Sequence, residues 1–278
     1  MKIAIVVSIT DAAGMNMKSH LLTTGLFEKT TLPLHEPYDA DAIYVFVKNR
    51  NHLLYTLREE SIHAENLDKV IDADLFLFLT RHQSQAGIPS LSAHGVGNFG
   101  VAEYGGKDET LVIAPASYIR YALDLMERHK GDLPFEIVQE VTHHGPYLEK
   151  QTMFLEIGST PIEWASEAPA VVQTKVVLDL LTTPPPVYVP AIGLGGQHTT
   201  TNFKKIVQKT NLAFGHIAAK YALHTLTSGL LDEMLEKTLP QEKQPVIVVD
   251  WKGLGIEKQR ILAMLEKAGY KYARTDEF

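Results

Sequence analysis

Residues 1–11 read MKIAIVVSITD. The run 3–8 is apolar without a break, so an extended segment there buries both faces, as strands of a helix-covered parallel sheet do. Asp11 then stands where a helix needs its N-cap, with Met15, Met17, Leu21 and Leu22 available for one face of a helix reaching about Phe27. The opening run is too short for the apolar core of a secretory signal and far too short to span a bilayer, so the expectation is a cytoplasmic protein with no membrane partner.

The pattern continues along the chain. Strands are expected at 43–47 (IYVFV), 75–80 (LFLFLT), 111–114 (LVIA), 153–157 (MFLEI), 187–192 and 246–250, and at 135–141 (FEIVQEV), where alternation has period two. Helices are expected from Ser117, with Tyr118, Tyr121, Leu125 and Met126 at helical spacing and Gly131 as its stop, and over 256–268. Thr160, Pro161 and Glu163 form a capping box with proline at N1, so a helix is expected to run from there to about Leu181 and stop before Pro184, Pro185 and Pro186. The fold class that follows is α/β: a mixed, mainly parallel central sheet with helices on both faces, as one catalytic domain over 1–278. The strand directly after the triple proline argues for one continuous sheet. Residues 83–109 carry six glycines and read as a long functional loop.

A chain of 278 residues buries about three quarters of its unfolded surface, so it holds a large core without staples. With 45% hydrophobic and 21% charged residues it is neither disordered nor a coiled coil. Cysteine is absent, which removes disulfides, thiolate nucleophiles and thiolate zinc sites. A net charge of -7 from 26 basic and 33 acidic residues leaves no broad basic face for duplex binding, so nucleic acid would meet a local patch. Twelve histidines mean that any metal ligands are imidazole and carboxylate.

Several chemistries fail on inspection. There is no Gly-x-Ser-x-Gly elbow, and His35-Glu36 lacks the second zincin histidine. Gly95-Val-Gly-Asn-Phe-Gly100 matches the dinucleotide fingerprint in letters, but no strong strand is expected before it and no amphipathic helix after it. What remains is a set of glycine-flanked histidines beside strands: His94 with Asn98, His143-His144-Gly145, Gly195-Gly196-Gln-His198 and Gly215-His216, with Glu156 in an apolar strand. On an extended strand end His143 and His144 point to opposite sides, so at most one is expected to face the site. Taken singly, each histidine is more often structural, and Lys204 and Lys205 read first as a solvated helix face. Taken together, the set suits hydrolysis or phosphorolysis, with imidazole and carboxylate activating water and backbone N–H groups meeting an oxyanion. Zinc held by histidine and carboxylate fits the same residues.

The segments DAAGMNM (11–17), THHGP (142–146), EIGST (156–160) with Glu163-Trp164, and GLGGQHT (193–199) together resemble the archaeal and plant-type D-aminoacyl-tRNA deacylases, and the likeness spans essentially the whole chain. That resemblance implies hydrolysis of the ester joining a D-amino acid to tRNA, a phosphorylase/hydrolase-like fold and an association with zinc. On physical grounds His144, His198 and Glu156 are the choices for water activation, as base or as metal ligands. The Gly195 and Gly196 amides are candidate oxyanion donors. His94, Asn98, His143 and His216 are assigned to the terminal adenosine or amino group, and Lys204 and Lys205 to acceptor-stem phosphates. The partner is the acceptor end of D-aminoacyl-tRNA, with a shallow salt dependence and broad side-chain tolerance expected; oligomeric state stays open, a monomer being the default. The rival readings are a nucleoside phosphorylase-like or metallo-carboxypeptidase-like hydrolase, and a non-enzymatic RNA- or nucleotide-binding module.

Overall fold

The computed structural model describes residues 1–240 and 244–278. Eight strands form the larger sheet: β1 (Ile3–Ser8), β2 (Phe27–Lys29), β3 (Tyr44–Phe46), β4 (His52–Leu57), β5 (Leu75–Arg81), β6 (Ser90–Gly95), β10 (Glu136–Gln139) and β11 (Gln151–Gly158). Two-residue strands β7 (Gly97–Asn98), β8 (Thr110–Leu111) and β9 (Ala114–Pro115) lie between β6 and β10 in the chain. The order across the sheet is β10-β6-β11-β5-β1-β4-β3-β2, parallel at the centre and antiparallel between β6 and β11 and among β2, β3 and β4. The second main sheet is four-stranded and wholly parallel, built from β12 (Val189–Leu194), β13 (Leu212–Ala218), β15 (Val246–Val249) and β16 (Tyr272–Arg274). A short β14 (Thr238–Leu239) pairs with β9. The expectation of one continuous sheet is thus corrected: the strand after the triple proline starts a new one.

Period-two alternation sorts the residues of the large sheet. Ile3, Ile5 and Val7, Leu75, Leu77 and Leu79, and Met153, Leu155 and Ile157 share one cluster with α1 (Ala12–Thr23), α2 (Ala116–His129) and α4 (Glu167–Thr182). Their alternates Ala4 and Val6, Phe76 and Phe78, and Phe154 face the other way, onto Leu67, Ile71, Val112 and Leu148 from loops and single turns. Helices on both faces are therefore found on the smaller sheet, with α5 (Thr201–Val207) on one side and α6 (Ser228–Glu236) and α7 (Lys258–Lys267) on the other. On the larger sheet one face is left to loops.

Local chemistry explains most element ends. Asp11 Oδ1 accepts from the Gly14 N–H at 2.8 Å, as an N-cap should. The capping box at Thr160 and Glu163 forms, but α3 (Pro161–Ala165) lasts one turn: Ser166 is extended, and α4 starts afresh with Pro169 in its first turn, where proline is tolerated. The helix from Asp11 stops at Thr23 instead of Phe27, because Phe27 is claimed by strand pairing with Phe46. Ser117 lies inside α2, whose N-cap is Pro115. The 111–114 run splits into β8 and β9, and the glycine-rich 83–109 segment hides β6, fully buried between β10 and β11. Among the described residues no helix is long and apolar enough to cross a membrane.

Glycine closes the loop-covered face. A Cβ on Gly145 would sit 2.3 Å from Gly106 N and 2.6 Å from Ile62 O, both backbone atoms, so three chain segments meet there without side chains. Gly145→Ala should cost about 1–3 kcal/mol by overpacking, read as a lowered urea midpoint at unchanged slope. Gly100→Ala, whose nearest neighbour would be Thr225 Cγ2 at 3.4 Å, serves as the milder comparison. Equal midpoints for the two variants would contradict this packing.

Candidate active site

The site begins with strand register. Thr80 on β5, Glu156 on β11 and Ser92 on β6 lie side by side, and the row before them is Phe78, Phe154 and His94. Alternation turns both rows to the face that the helices leave uncovered. Phe78 and Phe154 stack at 4.7 Å, and His94 stacks on Phe154 at 5.5 Å. Thr80 Oγ1 donates to Glu156 Oε1 at 2.9 Å, Ser92 Oγ lies 3.4 Å from Oε2, and the Glu156 backbone carbonyl accepts from Gln173 of α4 at 3.0 Å. A carboxylate is thus fixed inside a sheet by its neighbours on both sides.

Four further segments bring imidazoles to it. His82 follows β5, and its Nδ1 lies 3.1 Å from Glu140 Oε1 and 3.5 Å from Glu156 Oε2. His94 Nε2 is 3.7 Å from Glu156 Oε1. His198, on the loop after β12, places Nε2 2.7 Å from Glu140 Oε2. His143 and His144 follow β10, with ring centroids 4.3 Å apart and both rings beside His94. The expectation that at most one of them faces the site fails because His144 adopts φ +48°, which breaks strand alternation and turns both rings to one side. His82, His143, His144, Glu156 and His198 line one cavity of about 770 Å³, with His94 and Glu140 buried against them; Thr10, Asp11, Glu60, Arg81, Asn98, Tyr104 and Tyr221 also line it.

The electrostatics are those of two buried acids among imidazoles. Burial pushes the Glu140 carboxyl up, but His198 and His82 outweigh it and hold it well below the usual range. Burial and Glu140 push Glu156 up, and His82 and His94 bring it below its ordinary value. Burial opposes charge on His82, yet Glu140 and Glu156 together raise its pKa to about 10. His94 is raised against the same penalty by Glu156 and Glu140. Burial, then His94, drives His144 down to about 3, and burial with His144 and His94 puts His143 well below its usual value. Those two rings are neutral nitrogen donors.

Such a donor set suits a divalent cation. His94, His143 and His144 offer nitrogen atoms within 4.8 Å of one another, as do the ligand atoms of His82, Glu140 and His198, and of His94, Glu140 and Glu156. His94 Nε2 is buried and has no hydrogen-bond partner, a cost that a metal bond would remove. Nitrogen and carboxylate oxygen without sulfur is a zinc-type set. The trio expected from sequence, His144, His198 and Glu156, is instead divided among the three groups.

Other expected residues lie elsewhere. The Gly195 N–H donates to Ala218 O at 2.8 Å, and Gly195 and Gly196 pack against Gly253 and Asp250, away from the cavity lining, so they do not present an oxyanion hole there. His216 is fully buried and does not line the cavity, with Nδ1 3.1 Å from Thr142 Oγ1. Asn98 reaches the cavity, but its amide donates to Gly105 O at 2.9 Å and holds the glycine loop. Lys204 stands 3.9 Å from Glu127 in the second half of α5, and neither it nor Lys205 lines the cavity. The fingerprint at 95–100 does follow a strand, β6, yet turns and bends replace the helix it requires, so the dinucleotide-binding geometry is not formed there. Sequence reading missed His82 and Glu140. Their signal was position: each directly follows a strand, at the edge where α/β sheets carry ligands.

A family model described as D-aminoacyl-tRNA deacylase matches residues 69–273. Proteins named D-aminoacyl-tRNA deacylase from Thermococcus onnurineus and Archaeoglobus fulgidus are 35% and 34% identical over 274 and 260 residues, covering 95% and 93% of this chain and 97% and 90% of their own. The crystal structure of AF0625, described as a conserved protein of unknown function, superposes with a TM-score of 0.86 at 30% identity, covering 99% of this chain and 96% of that one.

Burial and the nearby Lys237 charge lower His216 to about 3, far below an unfolded histidine near 6.5. The unfolded chain therefore takes up a proton that the folded one refuses, and stability falls as pH drops below about 6.5. Between pH 7 and 5 this ring accounts for about 2 kcal/mol of that fall. In His216→Gln the loss between those pH values, measured by urea unfolding of metal-free protein, should shrink by that amount. An unchanged loss would contradict a neutral buried ring.

Proposed function

The chain belongs to the D-aminoacyl-tRNA deacylase family, and from that premise we propose how its own residues hydrolyse the ester. The reaction breaks the bond between the aminoacyl carbonyl carbon and a ribose oxygen of the terminal adenosine, with water as nucleophile. A D-amino acid and free tRNA are the products. The one observation that carries the reading is the convergence of His82, His143, His144, His198 and Glu156 on one cavity, backed by buried His94 and Glu140.

His198 is the general base. Its Nε2 is tied to buried Glu140 at 2.7 Å, which leaves Nδ1 to accept the proton of the attacking water. Glu140 fixes that tautomer and balances the imidazolium that forms, the arrangement of a base oriented by a third group. His82, pinned through Nδ1 by Glu140 and Glu156, keeps its second ring nitrogen as a donor for charge developing on the carbonyl oxygen or the departing ribose oxygen. His94, His143 and His144 are the residues that would hold zinc, with Glu156 and its Thr80 and Ser92 partners behind them. Bound there, zinc supplies Lewis acidity and lowers the pKa of a coordinated water.

Chirality rests on exclusion. D and L esters differ by exchange of hydrogen and side chain at one carbon, so a rigid wall that admits hydrogen alone on one side rejects the L form without reading the side chain. Broad tolerance of D side chains and discrimination against L esters follow, in the cytoplasm, where aminoacyl-tRNA is consumed. Few phosphates need docking on this reading, so the salt dependence of tRNA binding should be shallow.

Purified protein should hydrolyse D-tyrosyl-tRNA and several other D-aminoacyl-tRNAs, leaving the L counterparts intact. His198→Ala and Glu140→Gln should each lower kcat by about 10²–10⁴, the usual worth of a positioned base and its orienting group. Metal analysis should find zinc, which His143→Ala loses. Full activity in His198→Ala would remove the base from this scheme. Turnover that requires inorganic phosphate would favour the phosphorylase reading.

A further inference from the structure

The cavity lining carries Asp11, Glu60, Glu103 and Glu156, and among the described residues Arg81 is its one lysine or arginine. Arg81 is already engaged, with Glu60 at 3.1 Å and Thr10 O at 3.2 Å. Its carboxylates can meet the α-ammonium of an aminoacyl ester, but no lysine or arginine of the lining is left over for a phosphate. The phosphates that accompany the ester must therefore be met outside it.

One surface beside the cavity is built for that. The turn Lys220–Thr225 forms part of the wall through Tyr221, Ala222, His224 and Thr225. Its outer side abuts the loop after β15: a Cβ on Gly255 would lie 2.6 Å from Lys220 Cε, and Arg260 Nη1 donates to Leu226 O at 2.8 Å. That loop, Trp251-Lys-Gly-Leu-Gly-Ile-Glu-Lys258, leaves the carboxyl end of a parallel strand, the edge where ligands gather in such sheets. Trp251 holds Lys258 at 4.6 Å and Arg274 at 4.5 Å over its ring, which orders two long side chains. Two of the acids there are paired, Glu257 with Arg260 at 2.7 Å and Asp276 with Arg274. Among the described residues no ion pair within 4.0 Å involves Lys220, Lys252 or Lys258. Tyr221 is 57% exposed and Tyr104 65%, so two aromatic rings stand at the cavity for unstacked bases.

Resting on the tRNA-ester reading above, we propose that Lys220, Lys252 and Lys258 form the docking surface for the phosphate backbone of the tRNA acceptor stem. This replaces Lys204 and Lys205, of which Lys204 faces Glu127 and neither adjoins the cavity. The single-stranded 3′ end then passes Tyr221 into the cavity with its ammonium group leading.

The test is a triple variant, Lys220→Ala, Lys252→Ala and Lys258→Ala, compared with Lys204→Ala, Lys205→Ala. Each is assayed on D-tyrosyl-tRNA and on the minimal ester 3′-O-D-tyrosyl-adenosine, and for binding of uncharged tRNA across a salt series. The expected result is a KM for the tRNA ester raised about tenfold and a log–log salt slope shallower by about 2, at 0.7–0.9 per lost phosphate contact. The loss should be confined to the tRNA ester, and Lys258→Arg should behave as wild type. The α5 pair should change neither KM nor slope. Unchanged KM and slope in the triple variant, or equal losses on both esters, overturns the proposal. A wild-type protein that hydrolyses neither ester yet binds tRNA through these lysines would retain the docking surface and discard the hydrolytic reading.

Discussion

Everything in this site depends on keeping two carboxylates ionised inside a protein. Glu140 and Glu156 are both nearly inaccessible, and each raises the cost of charging the other. An isolated buried carboxylate would take up a proton. Here His82 bridges the pair, His94 and His198 approach from separate elements, and Thr80 and Ser92 donate from the flanking strands. The acids gather the histidines, and the histidines keep the acids charged. Removing either kind leaves the other uncompensated, which is why the cluster behaves as one unit.

That unit is possible because one face of the large sheet has no helix on it. Where α1, α2 and α4 pack, the strands present mostly leucine, isoleucine, valine and methionine, with few polar groups such as Thr56, which Lys18 of α1 meets at 2.7 Å. The opposite face carries phenylalanine up to the row of Phe78, Phe154 and His94, then turns polar at Thr80, Glu156 and Ser92. Loops rich in glycine close over it, since Gly105, Gly106 and Gly145 bring backbones together at distances a side chain would forbid. The second sheet contributes His198 from its carboxyl edge, and Val141 N donating to His198 O at 3.1 Å ties the two sheets together.

Much of this was legible beforehand. Unbroken apolar strands announced β1, β5 and β11, and Asp11 and the Thr160 box announced helix starts. Glycine beside histidine marked four of the segments that converge or back the site. What escaped notice had physical reasons. β6 reads SLSAHG, mostly small and polar, so it offers no apolar run to mark it as a strand although it is fully buried between β10 and β11. His82 and Glu140 sit in no motif, and only their place after a strand distinguishes them. The αL conformation at His144 is a tertiary choice, forced where the chain turns into Gly145, and no local preference of histidine foretells it.

Chiral selection adds a last constraint on how the site is built. Three substituents of the reacting carbon must be placed before the fourth is forced: the ammonium, the ester carbonyl and whichever of hydrogen or side chain meets the wall. On the reading proposed above, Glu60 and Glu156 would face the ammonium, and His82 and His198 would bracket the carbonyl from a strand end and a tethered loop. The remaining positions are then decided by what is rigid. Groups held by strand register and buried ion pairs move little, so the wall that bears them is the one able to exclude. The glycine loop and the exposed Tyr104 and Tyr221 form the opposite, open side. On that reading a side chain pointing there would meet a cavity of about 770 Å³ and solvent, so its identity would matter little, whereas its inversion would drive it into the histidine wall.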